Sequence, residues 1–197
     1  MSPPKKVVMA TGNTGKIREI ASLLADTDIE IVPQSSFGIE DAEETGTTFE
    51  ENAIIKARHA AAATGLAAIA DDSGLVVDAL DGRPGVYSAR YAGPGASDDD
   101  NIDKLLAELD GVDSRAAAFH CVACYVSDAE AEPLLTSGTW RGEILHKRRG
   151  DGGFGYDPVF FDPESGRASA ELSSEEKNAR SHRGQAIRAL VDLLRAL

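Results

Sequence analysis

Short apolar runs alternate with amphipathic stretches along most of the chain. Lys6 to Ala10 is apolar enough for a first strand and Ile29 to Val32 for a second. Between them Ile17, Ile20, Leu23 and Leu24 fall on one face of a helix. Thr48 and Glu51 have the spacing of a capping box, which predicts a helix of roughly 16 residues ending near Gly65 as its C′ residue. Ala53, Ala57, Ala60 and Ala61 give that helix a narrow apolar face, and Asn52 and Lys56 share one of its edges. Leu66 to Ala70 reads as a buried strand that stops at Asp71-Asp72-Ser73-Gly74, with apolar character resuming at Leu75 to Val77 and running toward Leu80. Asp81 to Gly85 is a turn, and Ser97 caps a helix carrying Ile102, Leu105, Leu106 and Leu109. Asp98, Asp99 and Asp100 suit the first turn of that helix. Ala116 to Val126 and Pro133 to Ile144 read as a long strand pair, and Val159 to Phe161 as a further strand. Ser173 and Glu176 form a second capping box, and Ile187, Leu190, Val191 and Leu194 mark the last helix.

Composition narrows the partners. A length of 197 residues with 42% apolar content suits one large domain, or one domain with two lobes. A formal net charge of −13 argues against polymeric nucleic acid, which needs a basic face, but is compatible with a single nucleotide. No apolar run approaches the ~20 residues that span a bilayer, and Val7 to Ala10 is too short for a signal-peptide core. The expectation is a cytoplasmic protein without a membrane partner. The two cysteines, Cys121 and Cys124, lie three apart on a predicted strand and so on opposite faces. They are expected to be buried free thiols and not a redox or zinc pair.

Candidate chemistry concentrates in a few places. Adjacent carboxylates closing a buried strand are costly unless a metal, a basic partner or exposure offsets their desolvation. A polar hairpin turn explains Asp71-Asp72 equally well in so acidic a chain. The turn Thr11-Gly12-Asn13-Thr14-Gly15-Lys16 lies between a strand and a helix, where outward amides and the helix dipole favour an anion. It does not match the P-loop spacing, and tight-turn chemistry accounts for it as well. Ile39 to Gly46 is an acidic loop that a solvated surface would explain, and a lone Lys56 on a helix is ordinarily solvated. Lys147 to Pro158 packs four glycines, Phe154, Tyr156 and a basic trio into twelve residues. Aromatics exposed among glycines suit a loop that stacks a planar ring. His182 and Arg183 near a helix start oppose the dipole, which points to another use.

Taken in order, these motifs resemble the inosine triphosphate pyrophosphatase family over nearly the whole chain. The resemblance rests on Thr11 to Lys16, Glu43-Glu44-Thr45-Gly46, Asn52 with Lys56, Ala70 to Leu75, Gly85 to Arg90, Gly153 to Pro158, and Lys177 with Ser181-His182-Arg183. It implies a mixed α/β fold: a long curved mixed sheet flanked by helices, two lobes and a central cleft, with residues 1–197 forming one catalytic domain. It implies hydrolysis of deaminated purine nucleoside triphosphates (ITP, dITP, XTP) to the monophosphate and pyrophosphate, with magnesium as cofactor and a homodimer as the assembly. By the same resemblance Asp72 is the catalytic acid/base, and Glu44 and Asp72 bind magnesium. Thr11, Gly12, Asn13, Thr14, Gly15 and Lys16 form the triphosphate loop, with Lys56 and Lys177 as further phosphate contacts and Ser73 beside the ligand. Phe154, Gly155, Tyr156 and Asp157 stack and position the base, and His182 and Arg183 read its edge.

The residue types suit that chemistry. A triphosphate carries about four negative charges, so lysines and a metal are needed to hold it. A carboxylate beside the α-phosphate can orient or deprotonate the attacking water. A carboxylate that also ligates magnesium is a weaker base, so Asp72 can act mainly by placing a water, with Asp71 or Glu44 sharing the work. Two rival functions are open to such a chain. A pyrophosphatase of the septum-inhibitor type would not need His182-Arg183 or the Phe154/Tyr156 loop. A nucleotide sensor without turnover would not need the acidic pair.

Overall fold

The computed structural model describes residues 5–196. Residues 1–4 and 197 of the expected domain lie outside the described part. Among the described residues the sheet has seven strands, in the order β2-β1-β3-β4-β5-β6-β7. These are β1 (Lys5–Met9), β2 (Ile29–Pro33), β3 (Ala67–Val77), β4 (Ala116–Val126), β5 (Leu134–Ile144), β6 (Phe160–Asp162) and β7 (Arg167–Ala168). β1 pairs in parallel with β2 and β3, whereas β6 is antiparallel to both β5 and β7. The mixed α/β class expected from the sequence is the class observed. The helices are α1 (Thr14–Leu23), α2 (Phe49–Thr64), α3 (Asp98–Glu108), α4 (Ser174–Arg180) and α5 (His182–Arg195).

The chain divides into two compact units. Among the described residues the first comprises 5–72, 121–138 and 183–196. Its central strands β1, β3 and β4 are buried on both faces over most of their length there, which is why they read as continuous apolar runs without alternation. One face carries Val7, Met9, Ile69, Cys121, Ala123 and Tyr125 under Ile20 of α1, Leu24 at its C-cap, and Ile187, Leu190 and Val191 of α5. The other face carries Val8, Ala10, Ala68, Ala70, Val122, Cys124 and Val126 under the alanine stripe of α2. The alanines leave no bulk between helix and sheet, so α2 packs close. Its capping box between Thr48 and Glu51 and its left-handed C-cap Gly65 end it at the two positions the sequence predicts. Cys121 and Cys124 are free, buried and on opposite faces, as their spacing predicts. Burial pushes both thiols up to about 12, so neither is nucleophilic near neutrality.

The second unit comprises residues 73–120 and 139–182. Leu75, Val77, Phe119, Trp140, Ile144, Tyr156, Val159 and Phe160 form its core with Ile102 and Leu105 of α3 and Leu109 at its C-cap. The Ser97 cap is completed by Asp100, so part of the acidic run there is helix initiation. Arg148 pairs with Asp99 and Asp103 and Arg149 with Glu171, so the basic trio is largely absorbed by surface ion pairs. Such pairs contribute little to stability.

One expectation fails. The strand does not stop at Asp71; β3 continues through Asp71, Asp72, Ser73 and Gly74 to Val77, and Asp78–Leu80 is a 3-10 turn. Paired charges stand in for the apolar side chains that a continuous strand would need.

Gly142 of β5 shows how tightly the second unit is packed. A Cβ there would overlap the Phe161 carbonyl oxygen and approach the Phe160 ring at 2.6 Å. Gly142→Ala should lower stability by about 1–3 kcal/mol. The check is the urea midpoint at constant m, and an unchanged midpoint would show that the sheet yields there.

Candidate active site

Consecutive residues of a strand face opposite ways, so Asp71 and Asp72 enter different surroundings. Asp71 follows Ile69 onto the face covered by α1 and α5. Its Oδ2 lies 3.0 Å from Lys16 Nζ and accepts from Arg183 Nε at 3.2 Å. Arg183 Nη1 also donates to Glu19, which stands three residues after Lys16 on α1. Two cations and two carboxylates thus interlock β3, α1 and the start of α5. Asp71 is fully buried. Burial by itself would raise its pKa, but Lys16, Arg183 and Lys56 overcome it and hold the carboxyl well below the usual range. Arg183 is buried as well, and Asp71 and Glu19 outweigh its desolvation to keep it charged.

Asp72 follows Ala70 onto the α2 face. Lys56 Nζ donates to its Oδ1 at 2.8 Å and to Glu44 Oε1 at 2.9 Å, so one ammonium bridges two carboxylates. Asn52, a turn earlier on α2, donates to Asp72 Oδ2 at 3.3 Å and accepts from the Gly46 amide at 2.8 Å. Asn52 therefore anchors the acidic loop that carries Glu44. Gly46 is required there, since a Cβ would come within 2.6 Å of Asn52 Oδ1 and of Glu51 Cβ. Asp72 differs from its neighbour in pKa as well as in direction. Burial raises it, Lys56 opposes and Glu44 adds to the rise, leaving the group above its ordinary value. Adjacent carboxylates pushed apart in this way suit different tasks.

The turn Thr11 to Lys16 leads from β1 into α1. Asn13 is the N-cap, its side chain accepting from the Lys16 amide at 3.1 Å. Thr11 Oγ1 accepts from the Asn13 amide at 3.1 Å. The capping role gives Asn13 a structural use beside any contact with an anion.

In the second unit Asp157 is the hub. Its Oδ2 accepts from Lys177 Nζ at 2.7 Å and from the Phe154 amide at 2.9 Å, and its Oδ1 accepts from Ser169 Oγ at 2.7 Å. Lys177 Nζ also sits 4.7 Å from the centre of the half-buried Phe154 ring. The Gly155 amide donates to Asp98 at 2.7 Å. Gly153 has a φ of 75°, and a Cβ would run into the Asp157 carboxylate. Tyr156 is not the exposed aromatic that its glycine neighbours suggest. It belongs to the core, and its hydroxyl donates to the Ser88 carbonyl at 2.8 Å. Burial, Tyr91 and Asp98 all push that phenol upward. Phe154 is the ring of this loop that stays out of the core. His182 is buried at the start of α5, stacked on Phe119 with centroids 4.8 Å apart. Ser73 is half-buried on β3 beyond Asp72.

The structure therefore brings sequence candidates together as three sets: Lys16 and Arg183, which meet through Asp71; Lys56 in contact with Glu44 and Asp72; and Lys177 in contact with Phe154 and Asp157. Sequence reasoning missed Glu19 and Ser169 as partners. Glu19 lies one helical turn from Lys16, a spacing that could have flagged it. Ser169 carries no local signal.

The mixed α/β fold, with cation-paired carboxylates buried in its sheet beside a glycine-rich turn, is suited to a nucleotide-handling enzyme. The chain belongs to the Ham1 family, whose model matches residues 7–193. It is 61% identical over 194 residues to the dITP/XTP pyrophosphatase of Pectobacterium atrosepticum, covering 97% of this chain and 98% of that protein. Against the dITP/XTP pyrophosphatase of Methylococcus capsulatus it is 60% identical over 196 residues, covering 98% of each. Among solved structures, a HAM1 protein from Coxiella burnetii superposes with a TM-score of 0.90 at 49% identity, covering 98% of this chain and all of that one. The Ham1 protein of Staphylococcus aureus gives 0.87 at 44% identity, with coverage of 98% and 99%.

The Asp71 network has a stability consequence. Asp71→Asn leaves Arg183 and Lys16 without their shared anion and should cost about 3 kcal/mol or more. Because the folded pKa is depressed, the wild-type contribution is present above about pH 4, the unfolded value, and is lost as pH falls toward the folded one. The wild type should therefore lose stability more steeply than Asp71→Asn below about pH 4. Parallel stability curves through that range would rule the network out as the cause.

Proposed function

We propose that the chain hydrolyses deaminated purine nucleoside triphosphates, ITP, dITP and XTP, to the monophosphate and pyrophosphate, and so clears them from the nucleotide pool. The full-length likeness to dITP/XTP pyrophosphatases supports the reaction. The observation that carries the chemistry is Lys56 held between Glu44 and Asp72. The amides of Thr11 to Lys16, with Lys16 and Lys56, are suited to the phosphates. Lys177 adds a phosphate contact, and Ser73 stands next to Asp72 in sequence. Phe154 offers the face for the base, with Gly155, Tyr156 and Asp157 fixing its loop. His182 and Arg183 read the 6-oxygen that distinguishes inosine and xanthosine from adenine. Arg183 enters this reading with Nε and Nη1 given to Asp71 and Glu19, so its guanidinium acts from a fixed position.

Magnesium is part of the proposal. Glu44 and Asp72 are hard oxygen donors gathered around one cation already, which suits the ion. Among the described residues no group of three or more His, Cys, Asp or Glu could hold a metal by itself. That fits an ion taken up with one or two carboxylates and substrate phosphates. Bound there, it supplies neutralisation of charge on the phosphate oxygens. Asp72, raised by burial, orients or deprotonates the attacking water. Lys56 keeps Asp72 and Glu44 in place and stabilises charge on the departing pyrophosphate. A homodimeric assembly and a cytoplasmic location complete the reading. No helix among the described residues is long and apolar enough to cross a membrane.

The test is pyrophosphate release over a panel of nucleotides with and without a chelator. We expect ITP, dITP and XTP to be cleaved far faster than ATP, with activity lost on chelation. Equal rates for ATP and ITP would refute the substrate assignment. Asp72→Asn should lower kcat by about 10²-fold or more, and near-normal turnover would remove Asp72 from the chemistry. Lys56→Met should weaken triphosphate binding more than monophosphate binding, and equal weakening in calorimetry would place Lys56 elsewhere.

A further inference from the structure

His182 does not stand alone in its unit. Its imidazole lies against the Phe119 ring with centroids 4.8 Å apart and planes only 11° from parallel. Phe119 projects from β4 and is itself wedged. Phe160 of β6 meets it at 4.5 Å with the planes tilted by 48°, and Trp140 of β5 lies at 6.4 Å. Trp140 and Phe160 contact each other at 5.0 Å, closing a three-ring wall. All of these side chains are buried, Phe160 completely. His120, the next residue, faces the other way and meets Thr139 Oγ1 through its Nδ1.

The wall has a directional effect on the imidazole. Hydrogen bonds of a histidine radiate in the ring plane, from Nδ1 and Nε2. A ring laid flat on a rigid neighbour keeps its tilt, and its nitrogens sweep only within one plane. Hydrogen bonds weaken steeply when misaligned. A histidine able to tilt could meet an acceptor oxygen or, in its other tautomer, a donor amino group by small adjustments. A histidine held in one plane discriminates between them.

We propose that Phe119 is a positioning residue for base selectivity: it fixes the plane of the His182 imidazole and touches no substrate atom. The inference rests on the reading of His182 as a base-edge donor. Phe119→Leu keeps apolar bulk and removes the flat face, while Phe119→Tyr keeps the face. The readout is the ITP/ATP ratio of kcat/KM, which cancels any loss of folded enzyme because both substrates sample the same population. We expect Phe119→Leu to narrow the ratio about tenfold, the worth of one well-made hydrogen bond. Phe119→Tyr should retain the wild-type ratio. Phe119→Leu combined with His182→Ala should be no narrower than His182→Ala alone. A second readout is independent of substrate: the His182 ring protons should sit upfield in the proton spectrum and move downfield in Phe119→Leu. If His182→Ala narrows the ratio but Phe119→Leu leaves it at the wild-type value, the positioning role is overturned while the base-reading role of His182 stands. If neither variant changes the ratio, the reading of His182 fails and the inference falls with it.

Discussion

Two carboxylates in the middle of a buried strand are the constraint on which the rest of the first unit depends. Neither Asp71 nor Asp72 can be buried charged without partners, because desolvating an unpaired carboxylate costs more than a domain's net stability. β3 continues through them because cations arrive on both faces. Lys16 and Arg183 come from α1 and α5 on one side, and Lys56 comes from α2 on the other. Alternation of side chains along a strand converts adjacency in sequence into separation in role. Asp71 is locked into a four-member ion network and tends toward structure. Asp72, the group to which the proposed chemistry is assigned, is held by Lys56 and Asn52 beside Glu44.

The same logic recurs in the second unit on a smaller scale. Asp157 gathers Lys177, the Phe154 amide and Ser169, and Gly153 leaves room for its carboxylate. In each case an acidic side chain gathers cationic donors around itself, and Asp157 adds a backbone amide. In the proposed reaction such preorganisation would lower the reorganisation needed as charge develops on phosphate.

Much of this was legible in the sequence, and the physical reason can be given for the rest. Caps declare themselves locally, so the bounds of α2 followed from Thr48, Glu51 and Gly65. The opposite faces of Cys121 and Cys124 followed from a period of two. The continuation of β3 did not, because polar residues in a strand are tolerated only where distant partners meet them, and Arg183 is remote from Asp71 in sequence. Tyr156 misled for a related reason: glycine neighbours suggest exposure, but the Ser88 carbonyl that accepts its hydroxyl is far away along the chain. The family resemblance named Lys56, Asp72, Glu44 and Lys177, yet not who holds whom. The two-residue β7 carried no signal at all.

The division of labour between Asp71 and Asp72 is most directly tested by crossed double-mutant cycles on stability. Asp71→Asn and Asp72→Asn would each be combined with Lys16→Met and with Lys56→Met, and urea midpoints measured for all members. The touching pairs, Asp71 with Lys16 and Asp72 with Lys56, should show coupling of about 0.5–3 kcal/mol. The crossed pairs should be nearer to additive. Coupling of equal size in all four cycles would mean that the two carboxylates share one mixed charge cluster, and the account of two faces with two roles would be wrong.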